Sequence, residues 1–230
     1  MQKGEIDMVS IVIPNWNTTE LLVNCLKAIQ NNNLKTDYEI IVVDNASTDG
    51  FAEVLKGFPE CRIIQNRRNL GFSISIIQGL LISEGKYVCF LNSDTEPQGF
   101  WLDHLVEYLE GHPECGLAAP AAHNVCCIRQ DPNVNKGENV EIAGETIPFM
   151  CVVIPKRLFQ ELGLPVITYG EDVDFCKRLE GRYKKMVIGK AYVKHLGSLC
   201  WVINKIGRNQ FVQIDFAKKL ANQWIGEENG

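Results

Sequence analysis

Apolar residues along this chain of 230 residues gather into short uncharged runs, each stopped by a polar cluster, and between the runs they recur at helical spacing. Residues 8–14 (MVSIVIP), closed by a proline, read as a first buried strand. After Asn15-Trp16-Asn17, Leu21, Leu22, Cys25, Leu26 and Ile29 fall on one helical face, with Thr18 or Thr19 available as the cap. Residues 38–43 (YEIIVV) form a second buried strand that stops at Asp44-Asn45, and a helix through 51–55 and a short strand at 61–64 follow. The loop 66–72 carries Arg67, Arg68 and a glycine, and leads into a helix over residues 73–84. Residues 87–91 (YVCFL) then run without a charge and end on Asn92-Ser93-Asp94, as a central strand of a parallel sheet does. Strand alternating with helix predicts a parallel α/β sheet with right-handed crossovers over the first hundred residues.

The second half alternates less regularly. A helix is expected over 101–109, strands at 116–120 and 149–154, and a helix at 156–162 stopped by Gly163. Residues 121–143 have weak periodicity, so they form either a functional loop or a small β excursion. An acidic loop at Gly170-Glu171-Asp172 runs into a helix, two short strand candidates follow at 185–188 and 191–193, and His195 comes after them. Residues 202–230 contain an amphipathic piece and a polar end. No repeat or linker divides the chain, so one domain is expected.

Composition narrows the class. A net charge of -5 gives no reason to expect nucleic acid or an anionic membrane as the main partner. No apolar stretch reaches the ~20 residues a membrane span needs. The polar start, residues 1–7, does not read as a signal peptide. Nine scattered cysteines without a C-x-x-C fit buried thiols in a reducing compartment, and the adjacent Cys126 and Cys127 suit neither a disulfide nor a metal geometry.

Four polar clusters carry the candidate chemistry: Pro14-Asn15, Asp44-Asn45, Asn92-Ser93-Asp94 and Glu171-Asp172. Three follow parallel strands and should therefore share one edge of the sheet, where ligands bind in open α/β folds. Asp94 at such an edge suits a hard cation and, through it, a diphosphate; a plain turn explains the same residues. Asp44 suits a ribose or base edge, or simply a helix cap. Glu171, Asp172 and Asp174 crowd three carboxylates, which favours a base or a metal partner, though a helix start alone attracts acids. His195 offers an imidazole nitrogen, as a ligand or as a structural residue.

Taken in order, "VSIVIPNWN", "EIIVVDNASTDG", "NRRNLGFS", "YVCFLNSDT", "FMCVVIPKRLFQELG", "YGEDVDFCKRL" and "AYVKHLGS" resemble family 2 glycosyltransferases, nearest their rhamnosyltransferase-like branch. The resemblance implies a GT-A fold, a Rossmann-like mostly parallel sheet flanked by helices in a single domain over residues 1–201. Its nucleotide-sugar-binding half would cover 8–95 and its acceptor-side half 96–201, with 202–230 as an appended helix and tail. It implies inverting transfer from a nucleotide-diphosphate sugar (a UDP- or dTDP-sugar) to a glycan or lipid-linked acceptor, in the cytoplasm or peripherally at a membrane's inner face. Pro14, Asn15 and Asp44 would hold the nucleoside, with Asn69, Gly71, Asn92 and Ser93 also on the donor side. Asp94 and His195 would hold Mg²⁺ or Mn²⁺, Asp172 would be the general base, and Glu171 would lie on the acceptor side.

The chain departs from the pattern in three places. Asn92 stands for the first acid of a D-x-D, Ser73-Ile74-Ser75-Ile76-Ile77 for small glycines and two asparagines, and the segment 163–169 is short. Ile76-Ile77 motivates a rival reading, a relative that binds a nucleotide sugar or a partner without transferring it. A nucleotidyltransferase would want a glycine-rich basic loop after the first strand, where this chain has Pro14-Asn15-Trp16-Asn17.

Overall fold

The computed structural model describes residues 6–165 and 170–197. The expected tail helix and most of the short segment before Gly170 lie outside the described residues. The strands are β1 (Ile6–Asn15), β2 (Tyr38–Asp44), β3 (Cys61–Gln65), β4 (Gly85–Leu91), β5 (Thr95–Gln98), β6 (Cys115–Ala121), β7 (Val140–Glu141), β8 (Cys151–Pro155) and β9 (Lys184–His195). The helices are α1 (Thr19–Asn31), α2 (Phe51–Val54), α3 (Phe72–Ile82), α4 (Trp101–Gly111), α5 (Pro132–Asn135), α6 (Arg157–Leu162) and α7 (Glu171–Leu179).

The uncharged runs are uncharged because the sheet is covered on both faces. Alternate residues of each central strand feed two separate cores. Ile11, Ile13, Ile40, Val42, Cys89 and Leu91 pack with α1, α2 and α4, while Val12, Ile41, Val43, Val88 and Phe90 pack with α3, α6 and α7. Phe90, Phe149, Phe159 and Phe175 form an aromatic cluster in the second core.

The sheet order is β3-β2-β1-β4-β8-β6-β9-β5, with β7 on β9. The strands β3, β2, β1 and β4 are parallel, as expected. The order reverses at β1, between β2 and β4, which opens a crevice at their carboxyl ends. β8 runs antiparallel to β4 and β6, and β9 is parallel to β6.

β5 is antiparallel to β9, and its place constrains the whole shape. It lies four places from β4 along the path, roughly 19 Å in a flat sheet at ~4.8 Å per strand. Only Asn92-Ser93-Asp94 separates the two strands in sequence, a reach of at most about 14 Å. The second half of the sheet must therefore curl back, and this brings the end of β9 to the end of β4.

Four expectations change. β5 was not foreseen, because Thr95-Glu96-Pro97-Gln98 is polar and holds a proline, which strands tolerate at a sheet edge. The strand candidates 185–188 and 191–193 are one strand, β9. Residues 121–143 are neither all loop nor a β excursion, since they hold a 3₁₀ turn, α5 and the two-residue β7. Neither Thr18 nor Thr19 caps α1 through its own side chain. Instead Asp49, 30 residues on, accepts from the Thr19 amide at 2.8 Å and the Thr19 hydroxyl at 2.6 Å.

Candidate active site

The carboxyl edge of the sheet collects the polar clusters. Asn15 and Asp44 are register partners at the ends of β1 and β2. Asp44 is wholly buried, and its carboxylate accepts from Asn15 Nδ2 at 3.1 Å, from the Ser47 amide at 3.0 Å and from the Ser47 hydroxyl. Thr18 donates to Asn15 Oδ1 at 2.9 Å and lies 3.1 Å from the Ser93 hydroxyl. Because Thr18 has one proton and spends it on Asn15, the Ser93 hydroxyl is the donor to Thr18. The chain of protons therefore runs from Ser93 toward the anionic end at Asp44, and ties the ends of β1 and β2 to the Asn92-Ser93-Asp94 turn. The turn is also held from α1. Cys25 Sγ lies 3.5 Å from Thr95 Oγ1, which donates to the Asn92 carbonyl at 2.7 Å. Burial pushes the Cys25 thiol up to about 12, so it packs rather than reacts.

Thr95 pairs with His195 across β5 and β9, which sets the preceding Asp94 beside the imidazole. Asp94 Oδ1 stands 3.5 Å from His195 Nε2, and both residues are buried. On the other side of the ring, Nδ1 lies 2.9 Å from the Asn124 backbone carbonyl, and the Asn124 side chain returns a bond to the His195 carbonyl at 2.9 Å. A carbonyl only accepts, so Nδ1 carries the proton and Nε2 turns its lone pair or a second proton toward Asp94. Burial pulls the imidazole pKa down, but the Asp94 carboxylate and the Asn124 carbonyl outweigh it, and the net shift is upward.

Among the described residues, Nε2 is buried and makes no hydrogen bond, its nearest acceptor being Asp94 Oδ1 at 3.5 Å. An imidazole nitrogen and a carboxylate oxygen at this spacing fit one divalent cation, since two atoms each about 2.1 Å from an ion lie roughly 3–4 Å apart. The carbonyl behind the ring is the support that metal-binding histidines carry. Among the described residues no group of three or more His, Cys, Asp or Glu gathers. An ion here would take its remaining ligands from elsewhere, as Mg²⁺ does from substrate phosphates.

The Glu171-Asp172 pair reaches the same edge through helix direction. α7 feeds β9, which starts at the far edge, so the first turn of α7 sits at the carboxyl edge. α3 feeds β4 in the same sense, and the Ser73 hydroxyl donates to Glu171 Oε2 at 3.0 Å. Burial raises the Glu171 pKa, opposed by its backbone bonds and by Ser73, and burial also raises that of Asp172. Asp172 Oδ1 accepts from the Val173 amide at 2.8 Å, and the residue is half-buried.

The remaining candidates support the loops. Asn69 Oδ1 accepts from the Gly71 amide at 2.8 Å, and Gly71, at φ 86, begins α3 in a conformation that suits glycine. Asn45 links Ser75 (2.8 Å) to Asn66 (3.0 Å). Pro14 is half-buried in β1, and Arg67 and Arg68 are exposed beyond β3. Ile76 and Ile77 are wholly buried in the second core, where α3 packs on the sheet. Sequence reasoning missed Thr18, Ser73 and Asn124 as partners of the site. Thr18 and Asn124 lie in none of the family stretches and Ser73 only closes one, and of the three only Asn124, with its left-handed φ of 57, has a special backbone.

This arrangement of the sheet is the GT-A fold. A crystal structure of GalNAc-T7 with UDP, GalNAc and Mn²⁺ has the same fold, with a TM-score of 0.67 and 16% identity over 82% of this chain and 43% of that one. The family model "Glycosyl transferase family 2" matches residues 10–143, more than half of the chain, and the chain belongs to that family. It is 29% identical over 119 residues to the chondroitin synthase of Escherichia coli, covering 50% of this chain and 17% of that protein. It is 31% identical over 111 residues to the glycosyltransferase AglE of Haloferax volcanii, covering 46% and 36%. A poly(ribitol-phosphate) beta-glucosyltransferase of Bacillus spizizenii is 35% identical over 92 residues, covering 37% and 14%. The chain thus matches less than half the length of each of these relatives.

Proposed function

We propose that this chain transfers a sugar from a nucleotide-diphosphate donor to an acceptor hydroxyl with inversion, assisted by a divalent cation and by Asp172 as general base. The observation that carries the reading is the buried Asp94–His195 pair, its Nε2 facing the carboxylate at 3.5 Å, in a member of this family. A cation bound there supplies Lewis-acid neutralisation of the charge that develops on the departing diphosphate. Pro14, Asn15 and Asp44 hold the nucleoside, with Ser93 and Asn92 toward the ribose and Asn69 and Gly71 along the donor groove. Asp172 accepts the proton of the acceptor hydroxyl as its oxygen attacks the anomeric carbon from the face opposite the diphosphate, which inverts that centre. A single displacement needs no protein nucleophile, in keeping with cysteines whose pKa burial raises. Of the two ions, Mn²⁺ accepts an imidazole ligand more readily than Mg²⁺ does. The donor is a UDP- or dTDP-sugar, and the acceptor is a glycan or lipid-linked glycan met in the cytoplasm or at the inner face of a membrane.

Calorimetric titration of UDP and dTDP tests the reading. One of them is expected to bind with Mn²⁺ present, at least about tenfold more weakly with a chelator, and equally weakly in His195→Ala with Mn²⁺. Equal affinity with and without the cation overturns the metal site. The alternative, a non-transferring binder, was motivated by Ile76-Ile77. Both pack in the core between α3 and the sheet. Release of nucleoside diphosphate from a donor sugar, with or without acceptor, excludes that alternative.

A further inference from the structure

The first turn of α7 carries the proposed base, and its local ties are the backbone bonds that the Glu171 and Asp172 carboxylates accept. It begins at Gly170, at φ 90, a cap residue that has no side chain to bond the helix start. Its inward face is anchored further along, by Phe175, Cys176 and Leu179 in the core. Arg178 pairs with Asp174 and reaches back to the Leu162 and Leu164 carbonyls at 2.8 and 3.1 Å. Ahead of that anchorage stand Glu171 and Asp172. From the donor-side half of the molecule, the buried Ser73 hydroxyl donates across 98 positions to Glu171 Oε2 at 3.0 Å.

We propose that Ser73 is a positioning residue for the transfer reaction: its hydroxyl clamps Glu171, and through Glu171 sets the first turn of α7 so that Asp172 meets the acceptor at the donor's anomeric carbon. This rests on the transferase reading above. Ser73 leaves the first turn of α3, on the donor groove's own helix, so the clamp registers the base to the donor site rather than to the acceptor loop. A hydrogen bond to a carboxylate in a half-buried setting is of the stronger kind. Small displacements of a reacting group are costly in rate, about a hundredfold for 1 Å.

The test uses the full chain with Mn²⁺ and a panel of UDP- and dTDP-sugars, following release of nucleoside diphosphate. Ser73→Ala is expected to lower kcat about ten- to a hundredfold, with donor KM and UDP affinity within about twofold of wild type. The Asp174 amide, whose bond to the Gly170 carbonyl opens the helix, is expected to exchange faster with solvent. Ser73→Thr, which keeps the hydroxyl, restores kcat. In a Glu171→Ala background Ser73→Ala has no further effect, because the bond is already gone. An unchanged kcat, additive effects in the double variant, or a raised KM at constant kcat overturns the proposal; the last would make Ser73 a donor contact. Should wild type release nothing from any donor, the transferase reading fails, and a faster Asp174 exchange in Ser73→Ala then marks the clamp as structural only.

Discussion

Glu171 and Asp172 are adjacent carboxylates whose pKa values burial raises. Such groups add stability only when protonated: the contribution is complete below the unfolded-state pKa and is lost as pH rises through the folded value. At neutral pH the ionised pair is a cost that the fold carries for its chemistry. Asp172→Asn keeps the oxygen that accepts from Val173, so its melting temperature at pH 7 is expected to equal or exceed that of wild type. Transfer in the same variant is expected to fall at least about 10²-fold, with nucleotide binding retained. Full turnover in a folded Asp172→Asn protein removes Asp172 as the base. In wild type the rate is expected to decline on acidification at a pH above the usual aspartate range, because the base titrates early. A pH–kcat profile with its acid limb at or below the ordinary aspartate value contradicts the raised pKa. These acids were legible in the sequence as a cluster. Their burial was not, because it depends on α3 arriving from residue 73.

The helices were legible from periodicity, and the ties between elements were not. Asp49 closes the start of α1 from a loop 30 residues away, using both carboxylate oxygens. Asp49→Ala is expected to cost about 1–3 kcal/mol, since it leaves the Thr19 amide and hydroxyl without their charged acceptor. Urea denaturation with an unchanged m-value measures it, and a loss under 0.5 kcal/mol, roughly the effect of an ordinary surface substitution, places the cap elsewhere. α3 shows the opposite kind of constraint. Helix propensity alone favours alanine over Gly79 by about 1 kcal/mol. A Cβ there would stand 2.3 Å from Val12 Cγ1, on a buried β-branched side chain with little freedom to move. Gly79→Ala is therefore expected to destabilise by about 1–3 kcal/mol, read from the same denaturation curves. A gain in stability would mean that α3 can lift from β1. The polar edge strand β5 was missed for a related reason. Its pairing partner lies a hundred residues on, and Pro97 argues locally against a strand.

For the molecule as a whole, the curled sheet turns separate strand ends into one site, so a ligand that spans them should hold the fold together. UDP or dTDP with Mn²⁺ at about a hundred times Kd is expected to add ~2.7 kcal/mol, a rise in melting temperature of roughly 5–10 °C for a chain of this size. The rise should vanish with a chelator and in His195→Ala. An equal rise in the presence of chelator would mean that the nucleotide is held without the Asp94–His195 pair. The sequence by itself determined the alternating α/β order, a parallel first half, the acids at its carboxyl edge and the family. Each of these is written in short-range pattern: uncharged runs for strands buried on both faces, helical spacing between them, and polar stops where strands end. The pairing of Asp94 with His195 came from the family resemblance, and only the tertiary structure gave its geometry and decided that Thr18 links Ser93 to Asn15 and that Ser73 grips Glu171. Those contacts join positions about 75 to 100 apart. The Asp94–His195 contact exists because the three-residue turn after β4 is too short to let the sheet lie flat, and no local propensity encodes that closure.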